Sequence, residues 1–130
     1  MAKDFQFSTT PPPSSTSFDV PIFQKTYDFY KNLHEALKHF PRQDRYTVGQ
    51  KCVDLNLEII ELVLLATYKT KNDKIVYLDR ASAKLDVLKI LFRLAFETKA
   101  INQQKYISFE NLLIEIGKML GGWIKQSKTT

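Results

Sequence analysis

The chain has one cysteine, Cys52, and four glycines in 130 residues, and no long hydrophobic run. A lone cysteine excludes an internal disulfide, so the fold must stand on its core, which a chain of this length is large enough to bury. No stretch approaches the roughly 18 uninterrupted apolar residues that a membrane span needs. The N-terminus also lacks the charged-then-apolar layout of an export signal, so no membrane role is expected and the cytoplasm is the expected location. Convergent catalytic groups are missing as well. His34 and His39 stand five apart on one expected helix, hence on different faces, and not at the i, i+4 spacing of a metal pair. No Glu-x-x-His string occurs, which excludes a ferritin-like di-metal site. Gly121-Gly122 has no phosphate-loop context, and Cys52 falls on an apolar seam, where small core filler is the better reading than nucleophile. No catalytic residue, metal ligand or cofactor site is assigned, and the expectation is a protein that is not an enzyme.

What the chain does have is apolar residues at helical spacing. Residues 1–20, with Ser8-Thr-Thr-Pro-Pro-Pro-Ser-Ser-Thr-Ser17, read as a disordered leader, since prolines cannot donate backbone bonds and serines and threonines supply no core. A plain leader is favoured over a proline-rich ligand for another domain. A helical domain over 21–126 and a short tail over 127–130 follow. The first helix is expected from Ile22 to His39, with Phe23, Tyr27, Tyr30, Leu33 and Leu37 inward and Pro41 as its stop. The second is expected from Arg45 to Tyr68 on a seam of Val48, Cys52, Leu55, Ile59, Leu62 and Ala66, with Thr47, Lys51, Asp54, Glu58 and Glu61 solvated opposite. It also carries an extra apolar stripe of Val53, Leu57, Ile60 and Leu64. The third, Asp73 to Lys99, repeats the pattern with Leu78, Ala81, Leu85, Leu88, Phe92 and Ala95 inward and Val87, Leu91 and Leu94 beside them; Asn72 or Asp73 is expected to cap it. The fourth starts after Asn102, uses Tyr106, Phe109, Leu113, Ile116 and Leu120, and is expected to end between Gly121 and Lys125 because paired glycines weaken a helix. Trp123 is expected in the core rather than in a subunit contact. Short links force each helix to reverse, so the fold expected is all-α, an up-down-up-down antiparallel four-helix bundle. The doubled apolar stripes leave surface for a second copy.

The net charge is +5, and its distribution says more than its size. Residues 1–20 carry Lys3 against Asp4 and Asp19, while 52–68 hold Asp54, Glu58 and Glu61 with no cation, so the positive charge gathers elsewhere. In an up-down bundle one end collects Lys38, Arg42, Arg45, Lys51, Arg93, Lys99 and Lys105. The other collects Lys25, Lys69, Lys71, Lys74, Arg80, Lys125 and Lys128. Arg80 with Lys84, and Lys89 with Arg93, place like charges at i, i+4, a repulsion that bound phosphates would relieve. Ordinary solubilising charge is the competing explanation, at even weight. With no base-reading motif visible, any nucleic-acid contact should be to the backbone and sensitive to salt.

Three strings carry a family resemblance. Phe40-Pro-Arg-Gln-Asp-Arg-Tyr-Thr-Val-Gly-Gln50 resembles the entry to the second helix of the accessory variability (Avd) proteins of diversity-generating retroelements. Leu85-Asp-Val-Leu-Lys-Ile-Leu-Phe-Arg-Leu-Ala95 is similar to their third helix, and Ile116-Gly-Lys-Met-Leu-Gly-Gly-Trp123 to their C-terminal signature. The likeness covers roughly residues 21–125. The superfamily also holds bundle proteins encoded in intervening sequences of 23S rRNA, whose second helix carries an Asn-Ile-Ala-Glu-Gly-like string; here Glu61-Leu-Val-Leu-Leu-Ala-Thr67 stands instead, so the retroelement branch fits better. The resemblance implies a homopentameric ring with a basic surface. It also implies two partners, a reverse transcriptase and its template RNA, with the cDNA as a further candidate, and support of mutagenic cDNA synthesis. By position, Arg42, Arg45, Arg80, Lys84, Lys89, Arg93 and Lys118 are the nucleic-acid-binding candidates. The alternative is a related bundle that binds an unassigned protein partner.

Overall fold

The computed structural model describes residues 19–128, with side chains from Pro21 to Lys128. The expected leader, but for Asp19 and Val20, lies outside the described residues. Four long helices and one short helical turn make up the regular structure, in the order α1 (Asp19–Leu37), α2 (Arg42–Arg45), α3 (Val48–Ala66), α4 (Lys71–Glu97) and α5 (Gln103–Lys128). There is no strand among the described residues.

Pro21 falls in the first turn of α1, where its missing N–H costs no helical bond. The helix closes by tightening: the amides of Lys38, His39 and Phe40 donate to carbonyls three residues back (3.2, 2.9 and 3.1 Å). Pro41 then restarts the chain, its carbonyl accepting from Asp44 and Arg45 at 3.0 Å each. The helix expected from Arg45 is therefore broken. Arg42–Arg45 is a separate turn, Thr47 leaves the helical region (φ −117°, ψ −95°), and α3 starts at Val48. Gly49 allows the tight corner, because a Cβ there would come within 2.7 Å of Leu37 Cδ2 and 3.0 Å of the Asp44 carbonyl.

Helix α4 starts at Lys71, so Asn72 and Asp73 lie inside its first turn rather than capping it; Thr70 holds the cap position without a side-chain bond. Its far end is a Schellman turn: Ala100 N–H donates to the Ala95 carbonyl (2.8 Å) and Lys99 N–H to that of Phe96 (3.0 Å). Lys99 takes the left-handed position at φ 68°, where a Cβ is strained. Lys99→Gly should therefore raise stability by about 1 kcal/mol, after discounting the lost cation at a helix C-terminus. A higher urea midpoint at unchanged slope is the expected reading, and a lower one contradicts it.

Asn102 starts α5 by accepting the Lys105 amide on its Oδ1 at 2.7 Å. The helix does not end at the glycine pair. It runs on to Lys128, taking in two residues of the expected tail, because Trp123 and Ser127 are buried beyond the pair and anchor the last turns. Trp123 is 3% exposed within the protomer, in the core as expected.

One continuous core joins the four long helices. Its centre is aromatic: Phe29 meets Phe92 and Phe109 edge-on at 5.8 and 5.4 Å, and Phe92 stacks on Phe109 at 4.7 Å. The inward residues expected of α4 are all buried, as are Phe109, Leu113, Ile116 and Leu120 of α5. The face expected of α1 is corrected by one position. Ile22, Thr26, Phe29, Leu33 and Ala36 point inward, while Phe23, Tyr30 and Leu37 are half-buried and Tyr27 is exposed. Thr26 tolerates this burial because its hydroxyl donates to the Phe23 carbonyl at 2.9 Å. On α3, Val63 is buried where Leu62, half-buried, was expected. Contacts at Phe96–Tyr106, Phe92–Phe109, Leu85–Gly117 and Lys74–Trp123 show α5 returning along α4.

Cys52 is fully buried, and desolvation pushes its thiol up to about 12 from 9.0. The unfolded thiol ionises first as pH rises, so this contribution to stability is whole below pH 9 and drains away toward pH 12. The expected result is a stability gap between wild type and Cys52→Ala that narrows from pH 8 to pH 10, by roughly 1 kcal/mol. A constant gap in denaturant titrations contradicts it.

Candidate nucleic-acid interface

Placement on the bundle separates the seven candidate cations into groups. Arg42 and Arg45 sit on α2, beyond the end of α1. Arg42 is exposed and lines an open hollow with Pro41, Gln43 and Tyr46. Arg45 is half-buried; its Nη2 donates to the Phe40 carbonyl at 3.3 Å, and its buried Nε has no partner. Part of that guanidinium therefore serves the α1–α2 corner.

Helix α4 carries four candidates on different flanks. Lys84 reaches toward α3 and pairs with Glu58 at 2.9 Å. Lys89 leans the other way: its Nζ lies 3.5 Å from where a Cβ of Gly117 on α5 would stand. Arg93 is exposed and pairs along its own helix with Glu97 at 3.1 Å. Arg80 lies toward the start of α4, its guanidinium 6.0 Å from the ring centre of Tyr77. The fold thus sets Arg42 and Arg45 on one short turn, while Lys84 and Lys89 leave α4 toward different neighbouring helices.

Two of the seven, Lys84 and Arg93, are already neutralised by carboxylates. Lys25 pairs with Glu115 across α1 and α5 at 3.0 Å. Lys31 and Lys38 pair within α1, and the Lys38 hydrogen bond, with its charge behind it, holds the Glu35 carboxyl below its usual range. These are surface pairs and add little stability. Their meaning is electrostatic, since a cation facing its own carboxylate offers less to a phosphate. Among the described side chains, Arg42, Arg45, Arg80, Lys89 and Lys118 have no ion pair.

The strongest unpaired grouping is one that the candidates touched only through Arg80. The link after α3 and the start of α4 hold Lys69, Lys71, Lys74 and Arg80, none in an ion pair among the described side chains, with Asp73 and Asp79 as the acids of that stretch. Lys69 Nζ stands 5.1 Å over the Tyr77 ring and Lys74 Nζ 5.4 Å over Trp123. The signal in the sequence was the interleaving of aromatics and cations through Tyr68-Lys69-Thr-Lys71 and on to Tyr77.

No group of three or more metal-ligating side chains occurs among the described residues, and none of their helices is long and apolar enough to cross a membrane. Exposed apolar side chains gather on α3 and α4 instead: Leu57 and Leu64 on one, Val87, Ile90 and Leu94 on the other.

No curated protein matches the chain. The profile of the bAvd-like family matches residues 20–127, from the second residue of α1 to the last turn of α5. The three strings and the all-helical fold agree with that match, and the chain belongs to the bAvd-like family.

Proposed function

We propose that the chain is a non-enzymatic accessory protein of a diversity-generating retroelement, binding the reverse transcriptase and its template RNA through basic surface and supporting mutagenic cDNA synthesis. The observation that carries this reading is family membership across the whole helical domain. The unpaired cations Arg42, Arg80, Lys89 and Lys118 support it, since they offer charge to phosphates without first having to release a carboxylate. Lys84, Arg93 and Arg45 complete the proposed contact set, the first two by exchanging an internal partner for an external one.

In the same reading the helices alternate in direction all round, and the protein acts in the cytoplasm as a homopentameric ring. The exposed side chains of Leu57 and Leu64 on α3, and of Val87, Ile90 and Leu94 on α4, support an assembly, because exposed apolar faces are commonly covered by a partner. Five 15.1 kDa chains give a particle of about 75 kDa.

The test is reconstitution. Purified protein is mixed with the reverse transcriptase and template RNA of its retroelement, and cDNA yield is measured with and without it. Synthesis that depends on the protein, in a complex that co-elutes with the polymerase, is the expected result. Equal yield in its absence contradicts the proposal.

A further inference from the structure

We infer that the bundle end formed by the α3–α4 link and the last turn of α5 is a site for single-stranded RNA, with Tyr68 as a stacking platform for a base. This rests on the proposed nucleic-acid role and sharpens it to a place and a strand state.

Tyr68 is 62% exposed on the turn that follows α3, although the ring is large and apolar. Its amide is spent on the Leu65 carbonyl at 3.0 Å, so the backbone is fixed while the ring faces solvent. Three cations of the same end lie against aromatic rings. Lys69 and Arg80 both lie against Tyr77, and Lys74 against the buried Trp123. A cation already resting on a ring loses less freedom when a phosphate arrives, and the ring does not neutralise it as a carboxylate would. Because Lys74 touches Trp123, the last turn of α5 comes to this same end, and it adds Lys125 and Lys128 without an acidic residue after Glu115.

An exposed aromatic ring set among cations is the combination that single strands use. Phosphates track the positive charge while an unstacked base lies on the ring. A duplex hides its base faces and offers Tyr68 nothing to stack on. An acidic peptide could answer the charge, but its carboxylates give the ring nothing to stack on. The opposite end of the bundle is basic too and exposes Tyr46 beside Arg42, but there Lys38 and Arg93 are spent on Glu35 and Glu97, and Arg45 on the Phe40 carbonyl.

The experiment is fluorescence anisotropy of a labelled 12-nucleotide oligo(U) RNA with the full chain at low salt, beside a duplex RNA of equal length. Tyr68→Ala should weaken oligo(U) binding about tenfold, while Tyr68→Phe keeps it. Lys71→Gln with Lys74→Gln should lower the salt dependence, and Lys105→Gln at the far end should leave affinity unchanged. Thermal melts followed by circular dichroism confirm that each variant is folded. Oligo(U) binding that ignores Tyr68→Ala, or duplex bound as tightly as single strand, overturns this site and leaves the broader role standing. No RNA binding by the wild-type chain overturns both.

Discussion

Phe92→Ala is expected to remove about 4 kcal/mol of stability, enough to unfold a large fraction of a marginal domain at physiological temperature. Phe92 is 1% exposed and closes the aromatic centre that ties α1, α4 and α5 together through Phe29 and Phe109. Truncation deletes the transfer energy of the ring and leaves a cavity between rigid neighbours. It also forfeits two aromatic contacts worth about 0.5–1.5 kcal/mol each beyond burial. Phe92→Leu should cost less than half as much, because most of the volume is kept. Chemical denaturation read by circular dichroism decides it. A loss below about 2 kcal/mol for alanine would mean that the core collapses around the gap.

The opposite sign is expected at Asn56. This side chain lies on the buried face of α3, 1% exposed, and its amide nitrogen has no hydrogen-bond partner. A buried unsatisfied donor costs roughly 1–3 kcal/mol, and an apolar side chain of similar volume removes that cost. Asn56→Leu should therefore stabilise the fold by about 2 kcal/mol, seen as a higher urea midpoint at unchanged slope. A loss of stability would show that the amide is satisfied by a buried water.

Asn56 also illustrates what the sequence could not convey. The seam of α4 was legible residue for residue, because its apolar positions recur without competition from neighbouring stripes. Helix α1 offers two adjacent sets, Ile22-Thr26-Phe29-Leu33-Ala36 and Phe23-Tyr27-Tyr30-Leu33-Leu37. Side-chain bulk favours the second, yet the core takes the first, since Phe29 fits between Phe92 and Phe109 and Thr26 satisfies its own hydroxyl locally. The run of α5 through Gly121-Gly122 was hidden for a related reason: propensity marks the pair as an end, and burial of Trp123 overrides it. The break at Thr47 falls beside the close approach of Gly49 to Leu37, residues twelve apart in sequence, which no local spacing reveals.

The candidate cations were legible as types but not as a surface. Helical spacing put Arg80, Lys84, Lys89 and Arg93 on one element. Only the packed bundle turns Lys84 toward Glu58 on α3 and Lys89 toward Gly117 on α5. Spacing along one helix supplies the Arg93–Glu97 and Lys38–Glu35 pairs, whereas Lys84–Glu58 and Lys25–Glu115 depend on a neighbouring helix.

The proposed role depends on a basic surface that exchanges salt ions for RNA phosphates. The most direct measurement is the dissociation constant of the wild-type chain for single-stranded RNA as salt rises from about 50 to 200 mM. Engagement of about five phosphates predicts roughly a hundredfold loss of affinity over that range. Affinity that stays constant with salt, or no RNA binding at the low end, would contradict it.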